Sequence, residues 1–134
     1  MTNTNTELVL HIIRGLPGSG KSTAANSYPD YLHYEPDHFF CDTRGDYLYD
    51  AQLWDKACEW TLSMTDLALA RGRSVVVTDV FARADSLQPY RELAKAHGAT
   101  IKITTRTGDF GNCHRVPLFV LNSLRDAFED IDDF

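Results

Sequence analysis

The sequence predicts a three-layer α/β domain with a small, mainly parallel sheet of about four to five strands. Short runs rich in Val, Ile and Leu alternate with segments whose apolar residues recur every three or four positions. The 134 residues suffice for one domain with a buried core. We therefore expect one domain over residues 7–128, between a disordered N-terminal tail (1–6) and an acidic C-terminal tail (129–134).

Four segments are predicted strands. The run LVLHII (8–13) is typical of a buried central strand, and YLHYE (31–35) is a plausible second strand that ends at Pro36. SVVVT (74–78) is the clearest strand, and TIKIT (100–104) alternates apolar and polar residues as an edge strand does. Because helical segments separate them, these strands are expected to run parallel.

Helical patterns fill the intervals between the strands. The first helix should begin near Gly20 and stop before Pro29. From Asp50, a long helix should end at Arg71 and Gly72. Its apolar spacing predicts that one face is formed by Leu53, Ala57, Trp60, Met64 and Leu67.

Two further helices are predicted in the second half of the chain. Asp85 or Ser86 can cap a helix that carries Leu87, Tyr90, Leu93 and Ala94 and that Gly98 closes. Pro117 suits the first turn of a last helix, with apolar positions at Val120, Leu121, Leu124 and Phe128.

The charge and cysteine content exclude several classes of protein. The formal net charge is −6, and five acidic residues within 126–134 leave the rest of the chain at −1. Neither part indicates a broad basic surface for non-specific nucleic-acid binding, although the sequence is compatible with a small basic groove. Three cysteines without a C-x-x-C pair do not indicate a disulfide framework or a zinc site.

No membrane or export signal is apparent in the sequence. No apolar run approaches the roughly 20 residues that span a bilayer. The opening MTNTNTE lacks the basic and apolar regions of a signal peptide. The expected location is the cytoplasm.

The stretch RGLPGSGKST (14–23) carries the phosphate-loop spacing Gly15-x-x-x-x-Gly20-Lys21-Ser22. Glycines let backbone N–H groups approach a phosphate, Lys21 supplies a cation for the β- and γ-phosphates, and Ser22 supplies a hydroxyl for Mg²⁺. The stretch predicts a P-loop NTPase or kinase fold that binds ATP or another nucleoside triphosphate. The expected nucleotide-binding residues are Gly15, Pro17, Gly18, Ser19, Gly20, Lys21, Ser22 and Thr23.

Two aspartates follow predicted strands and could complete a phosphotransfer site. Asp37 comes after the second strand, and Asp79 comes directly after SVVVT. The carboxyl ends of parallel strands meet at one edge of a sheet, so both are expected near the phosphate loop. Asp79 could hold Mg²⁺ or orient the acceptor, and Asp37 could activate an acceptor hydroxyl.

Cations beyond Lys21 would stabilise the transferred phosphoryl group. The candidates are Arg83, Arg106 and Arg115. The last two lie at either end of a polar, glycine-containing stretch between the last strand and the last helix, which could act as a lid.

Taken together, these motifs resemble the polynucleotide 5′-hydroxyl kinase-like branch of P-loop kinases, which includes short phage and bacterial ATP-binding proteins. The resemblance begins at LVLHIIRGLPGSGKST and continues through PDHFF and GDYLYDAQLWDKACEW. It resumes at SVVVTDVFARADSLQPYRELAKAHGATIKI and FGNCHRVPLFVLNSL, so it spans nearly residues 8–128.

The resemblance implies a role for several residues. Asp37 matches the general base, Lys21 and Ser22 match the ligands of the phosphates and metal, and Asp79 matches an acceptor-site residue. The lid arginines, Arg106 and Arg115 here, would embrace the donor phosphates. The chain departs from many relatives at His114-Arg115-Val116-Pro117, at Cys58 and at His38-Phe39-Phe40, where an arginine for a nucleic-acid phosphate is often found.

Three functions follow as hypotheses. The first is an ATP- and Mg²⁺-dependent kinase that acts on a hydroxyl of a nucleic acid, at a 5′ end or on a modified base. Phe39, Phe40 and Tyr47 could then stack on a base, or they could belong to the core. The second hypothesis is a kinase of a small molecule or nucleoside, and the third is a non-catalytic nucleotide-binding module with a protein partner.

Overall fold

A computed structural model of the chain describes residues 7–16, 19–41, 44, 46, 48–106, 122 and 125–129, except for the side chain of Ser22. The strands and α-helices follow in the order β1 (Val9–Gly15), α1 (Lys21–Ala25), β2 (Leu32–Tyr34), α2 (Trp54–Ala70), β3 (Val75–Asp79), α3 (Gln88–His97) and β4 (Thr100–Arg106). Short 3₁₀ helices cover Pro36–Phe40, Ala51–Leu53 and Ala84–Leu87.

The described strands form one parallel sheet in the order β2-β3-β1-β4. Leu10 of β1 lies opposite Val75 of β3 on one side and Ile101 of β4 on the other. This arrangement confirms the predicted parallel sheet and the edge position of β4. Strand β1 extends beyond the predicted segment and includes Arg14 and Gly15.

Helices cover both faces of the sheet, because successive side chains of a strand point to opposite faces. Leu10 and Ile12 pack in a large core cluster with residues of α2 and α3, such as Leu69 and Ala94. Ile13 packs with Ala25 of α1 in a smaller cluster on the other face. The predicted three-layer fold is confirmed.

The predicted inward face of α2 is only partly right, because Ala57 is fully buried but two other members are not. Leu53 and Leu67 are exposed, whereas Thr61 and Thr65 are fully buried. Each threonine hydroxyl donates to the carbonyl four residues earlier, Thr61 to Ala57 and Thr65 to Thr61, at 2.8 Å in both cases. These bonds satisfy the hydroxyls inside the helix, so a polar position could turn inward.

The observed ends of the helices agree only in part with those predicted from the sequence. Gly72 and Gly98 follow α2 and α3 with positive φ angles of 75° and 67°, as expected of helix-ending glycines. The predicted cap of α3 by Asp85 or Ser86 is wrong, because the 3₁₀ helix Ala84–Leu87 precedes Gln88. Ser86 instead donates to the carbonyl of Arg83.

The first and last helices are described unequally. Helix α1 ends at Ala25, and three further N–H groups, up to that of Tyr28, donate to carbonyls three residues earlier, which continues the turn towards Pro29. Most of the predicted last helix lies outside the described residues, although 125–127 are helical. Within the described part of the chain, no helix is long and apolar enough to cross a membrane.

Candidate functional site

The phosphate loop starts where β1 leaves the sheet, at Gly15. A Cβ atom on Gly15 would lie 2.3 Å from Ser19 Oγ and 2.8 Å from the Arg106 carbonyl oxygen, so only glycine fits. The Ser19 N–H donates to the Leu16 carbonyl at 3.0 Å, and Gly20 has a φ of 91°, which also favours glycine. The glycines of the motif therefore allow the tight turn that the sequence predicts.

Lys21 begins α1 and folds back over the loop. Its Nζ donates to the carbonyl of Gly15 at 2.9 Å and to that of Leu16 at 3.1 Å. Both acceptors belong to the loop that is expected to hold phosphate. The ammonium group is therefore already positioned at the mouth of the loop.

Two buried polar atoms beside Gly15 lack a hydrogen-bond partner in the described structure. They are Ser19 Oγ and Arg106 Nε. Arg106 lies opposite Gly15 in the β1–β4 register, so both atoms border the phosphate loop. Buried donors without partners are costly, and phosphate oxygens are strong acceptors, so the residues present fit a bound nucleotide phosphate.

A cavity of about 280 Å³ lies between α1 and the β1–β4 side of the sheet. Thr23 of α1 and Arg106 of β4 both line it, together with His11 and Thr104 from the strands. His11 Nε2 and Thr104 Oγ1 are hydrogen-bonded at 2.8 Å. The cavity therefore adjoins two of the residues that the sequence assigns to nucleotide binding and phosphoryl stabilisation.

Asp79 ends β3 beside the phosphate-loop strand, since it lies opposite Arg14 of β1. Burial raises the pKa of Asp79 to about 6, against the lowering effects of the Val80 N–H and Lys21. The Val80 N–H donates to Asp79 Oδ1 at 2.8 Å. A carboxylate near Lys21 at this edge is a suitable oxygen ligand for Mg²⁺.

Asp37 belongs to the 3₁₀ helix that follows β2. Its charge contributes to the raised pKa of Asp79, so the two carboxylates are within electrostatic reach of each other. The same aspartate also acts on His38, whose pKa is lowered mainly by burial. The structure therefore brings Asp37, Asp79 and Lys21 to one edge of the sheet.

Aromatic side chains surround the Asp37 helix. Phe40 is buried and contacts the rings of Phe39, Tyr49 and Trp54. Phe39 is partly buried and faces Trp60 of α2 at 6.1 Å between ring centroids. Core packing therefore accounts for Phe40, whereas 54% of Tyr49 remains exposed.

A hydrogen-bonded group of polar residues lies next to Asp37. The Thr78 hydroxyl donates to Glu35 Oε2, and His33 Nε2 lies 2.8 Å from Thr78 Oγ1. Burial acts to raise the pKa of Glu35, but the bonds to His33 and Thr78 and the nearby His38 hold it at about 2. Glu35 is therefore ionised, and sequence reasoning did not assign it a role.

Arg14 is a second residue whose role sequence reasoning missed. Its side chain is fully buried, and its guanidinium lies 4.0 Å from the centre of the Phe128 ring. It donates to the carbonyls of Phe81, Ala82 and Glu129 and to the Thr105 hydroxyl. The sequence feature that could have indicated this role is the position of Arg14, a charged residue at the end of an apolar strand and directly before the phosphate loop.

The remaining predicted site residues divide into two groups. Arg83 is exposed and pairs with the neighbouring Asp85 at 3.3 Å. Pro17, Gly18, Tyr47 and Arg115, and the side chain of Ser22, lie outside the described residues.

Comparison with known proteins agrees with this architecture. Residues 10–114 match the AAA domain family. Human NEDD4-binding protein 2 is 32% identical over 95 residues, which cover 67% of this chain. The chain spans only 5% of the length of that relative.

Several solved structures share the fold. The Pnkp1/Rnl/Hen1 complex, also solved as an RNA repair complex, gives a TM-score of 0.62 at 22% identity over 92% of this chain and 40% of that chain. AvrRxo1-ORF1:-ORF2 with ATP gives 0.62 at 18% identity over 92% and 48%. A gluconokinase from Sinorhizobium meliloti 1021 gives 0.54 at 20% identity over 92% and 75%.

Proposed function

The chain belongs to the AAA domain family, and from that premise we propose that it is an ATP- and Mg²⁺-dependent kinase. The proposed reaction transfers the γ-phosphate to a hydroxyl of a nucleic acid, at a 5′ end or on a modified base. One observation carries the proposal: Asp79 lies opposite Arg14 of the phosphate-loop strand, and the adjacent Thr78 bonds to Glu35, which leads into the Asp37 helix. This arrangement supports a donor site and an acceptor site side by side.

On the donor side, Lys21 would exchange the carbonyls of Gly15 and Leu16 for phosphate oxygens. The unpartnered Nε–H of Arg106 and hydroxyl of Ser19 would donate to the same phosphates. Ser22 and Asp79 would hold Mg²⁺, which supplies charge neutralisation for the phosphates when it is bound.

On the acceptor side, Asp37 would accept the proton of the attacking hydroxyl, whose oxygen then bonds to the γ-phosphorus as the bond to the β-phosphate oxygen breaks. The carboxylate also orients that hydroxyl towards the donor. The exposed ring of Tyr49, which contacts Phe40, offers a stacking surface for a base near the Asp37 helix. The fold shared with the RNA repair complex also supports a nucleic-acid acceptor.

Two other functions remain as alternatives. The gluconokinase neighbour, of which this chain covers 75%, favours a small-molecule or nucleoside acceptor on the same machinery. A nucleotide-binding module that acts on a protein partner would use the donor side alone.

The test is a transfer assay with γ-labelled ATP and Mg²⁺ against 5′-hydroxyl RNA and DNA oligonucleotides, nucleosides and sugars. Asp37→Asn should abolish labelling of the acceptor and leave ATP affinity nearly unchanged, because the proposed phosphate contacts come from Lys21, Ser19 and Arg106. Asp85→Asn, which changes an exposed carboxylate paired with Arg83, is the matched control.

The outcomes separate the hypotheses. Full transfer by Asp37→Asn would contradict the assigned base. Labelling of nucleosides or sugars but not of oligonucleotides would favour the small-molecule kinase. Tight ATP binding without labelling of any acceptor would favour the non-catalytic module.

A further inference from the structure

We propose that His33, Glu35 and His38 form a binding site for a divalent transition-metal ion of the zinc type. His33 belongs to β2, Glu35 is the first residue after that strand, and His38 lies in the 3₁₀ helix Pro36–Phe40. One ligand atom from each side chain lies within 4.8 Å of the others. Neither of the described cysteines, Cys41 and Cys58, belongs to this group.

The two histidines approach opposite oxygens of one carboxylate. Glu35 Oε2 lies 3.5 Å from His33 Nε2, and Glu35 Oε1 lies 3.5 Å from His38 Nε2. Ligands at zinc bond lengths of 2.0–2.2 Å are about 3.4 Å apart in a tetrahedron, so the single ligand atoms, all within 4.8 Å of one another, must close by about an ångström. His38 is 38% exposed, so rotation of its side chain can close the remaining separation.

The ligand types select the metal. Two imidazoles and one carboxylate suit zinc and its neighbours in the first transition row, whereas Mg²⁺ prefers oxygen ligands alone. The set supplies three protein ligands and leaves the fourth position to water or another small ligand. The site is therefore chemically distinct from the proposed Mg²⁺ position at Ser22 and Asp79.

Thr78 supplies the support that metal-binding carboxylates usually have. Its hydroxyl donates to Glu35 Oε2 and fixes the orientation of that carboxylate from the neighbouring strand. His33 Nε2, 2.8 Å from the same hydroxyl, would give up that hydrogen bond and bond to the metal, with the ring proton carried on Nδ1. The Thr78 hydroxyl then remains the positioning group of Glu35.

The first experiment titrates Zn²⁺ alone into tag-free, reduced and chelator-treated protein by calorimetry. We expect about one ion per chain, with affinity reduced more than about tenfold in His38→Gln. His97→Gln is the matched control and should leave the affinity unchanged. His97 also contacts a carboxylate, that of Asp66 at 2.6 Å, but it is not part of the described His33–Glu35–His38 group.

The second experiment follows the visible absorption of bound Co²⁺, which reports the ligand geometry directly. The wild type should give the intense bands of a tetrahedral site, and Thr78→Val should bind about tenfold more weakly while keeping the fold of β3. A circular dichroism melt of each variant separates lost binding from lost folding.

Three results would overturn the proposal. They are the absence of Zn²⁺ binding by the wild type, equal affinity in His38→Gln and the wild type, and an octahedral Co²⁺ spectrum that His38→Gln leaves unchanged. None of these measurements requires a nucleotide or an acceptor, so the test stands apart from that of the proposed kinase.

Discussion

The Nε–H of Arg14 donates to the carbonyl oxygen of Phe81 at 2.9 Å, across the interior of the domain. Phe81 has a φ of 45°, a conformation that non-glycine residues rarely adopt. Its ring packs edge to face on Tyr90, which together with the Arg14 bond holds this backbone in place. The segment after Asp79 is thereby fixed to the strand that leads into the phosphate loop.

Arg14→Lys is expected to destabilise the protein by about 3 kcal/mol, because an ammonium group cannot reach all four acceptors of the buried guanidinium. Urea denaturation at neutral pH measures the change. Arg83→Lys, at an exposed arginine, should leave the midpoint unchanged. Equal midpoints for the two variants would show that the buried bonds contribute nothing.

Gly15→Ala is expected to weaken nucleotide binding and to destabilise the fold by about 1–3 kcal/mol, because its Cβ would overlap Ser19 Oγ and the Arg106 carbonyl. Gly98→Ala is the control. It strains a positive φ by about 1 kcal/mol but meets no atom within 4 Å. Equilibrium binding of a fluorescent ATP analogue should separate them, and equal affinities would refute the close-packing argument.

Asp79→Asn is expected to stabilise the protein increasingly as the pH rises above 3.8. Folded Asp79 keeps its proton up to a pKa of about 6, whereas the unfolded residue releases it near 3.8, so the free energy of unfolding falls as the pH rises between these values. The asparagine removes this loss, which is about 2 to 3 kcal/mol at pH 8 and vanishes near pH 4.

Thermal melts of Asp79→Asn at pH 4 and pH 8 measure this effect. The Val80 N–H can still donate to the asparagine oxygen, so the local geometry should be kept. A gain that is equal at both pH values would contradict the assignment to Asp79 ionisation. Asp85→Asn, at an exposed carboxylate, should show no such pH dependence.

Cys58 is expected to resist alkylation while Cys41 reacts. Burial, with Asp79 and Asp55, raises the pKa of the Cys58 thiol to about 11, so the reactive thiolate is scarce at pH 8. Cys41 is exposed. Iodoacetamide labelling of the native protein, read by peptide mass spectrometry, should modify Cys41 far faster, and equal rates would contradict the partial burial of Cys58.

The sheet could be predicted because strong apolar runs separated by helical periods leave few alternatives. Val75 and its neighbours form β3 as expected, and the edge position of β4 follows its alternating pattern. The inward face of α2 was predicted only in part, at Ala57, because apolar spacing does not reveal that Thr61 and Thr65 satisfy their hydroxyls within the helix.

The candidate site was predictable where a local motif specifies its chemistry, as at Gly15 and Lys21. Arg14 and Glu35 were not, because their roles depend on partners far along the chain, such as Phe81 and Thr78. A charged residue at a strand end gives no indication of which distant carbonyl it will meet.

The bonds from Lys21 to the carbonyls of Gly15 and Leu16 have a consequence for selectivity. An incoming anion must replace two carbonyl oxygens as the acceptors of the Lys21 ammonium group. Only an anion with a high density of charge gains enough from this exchange to bind well. Chloride and other weakly charged solutes gain little by displacing these carbonyls, whereas a polyphosphate brings several charged oxygens at once. Lys21 is thus expected to favour polyphosphates over singly charged anions such as chloride, whichever nucleoside they carry.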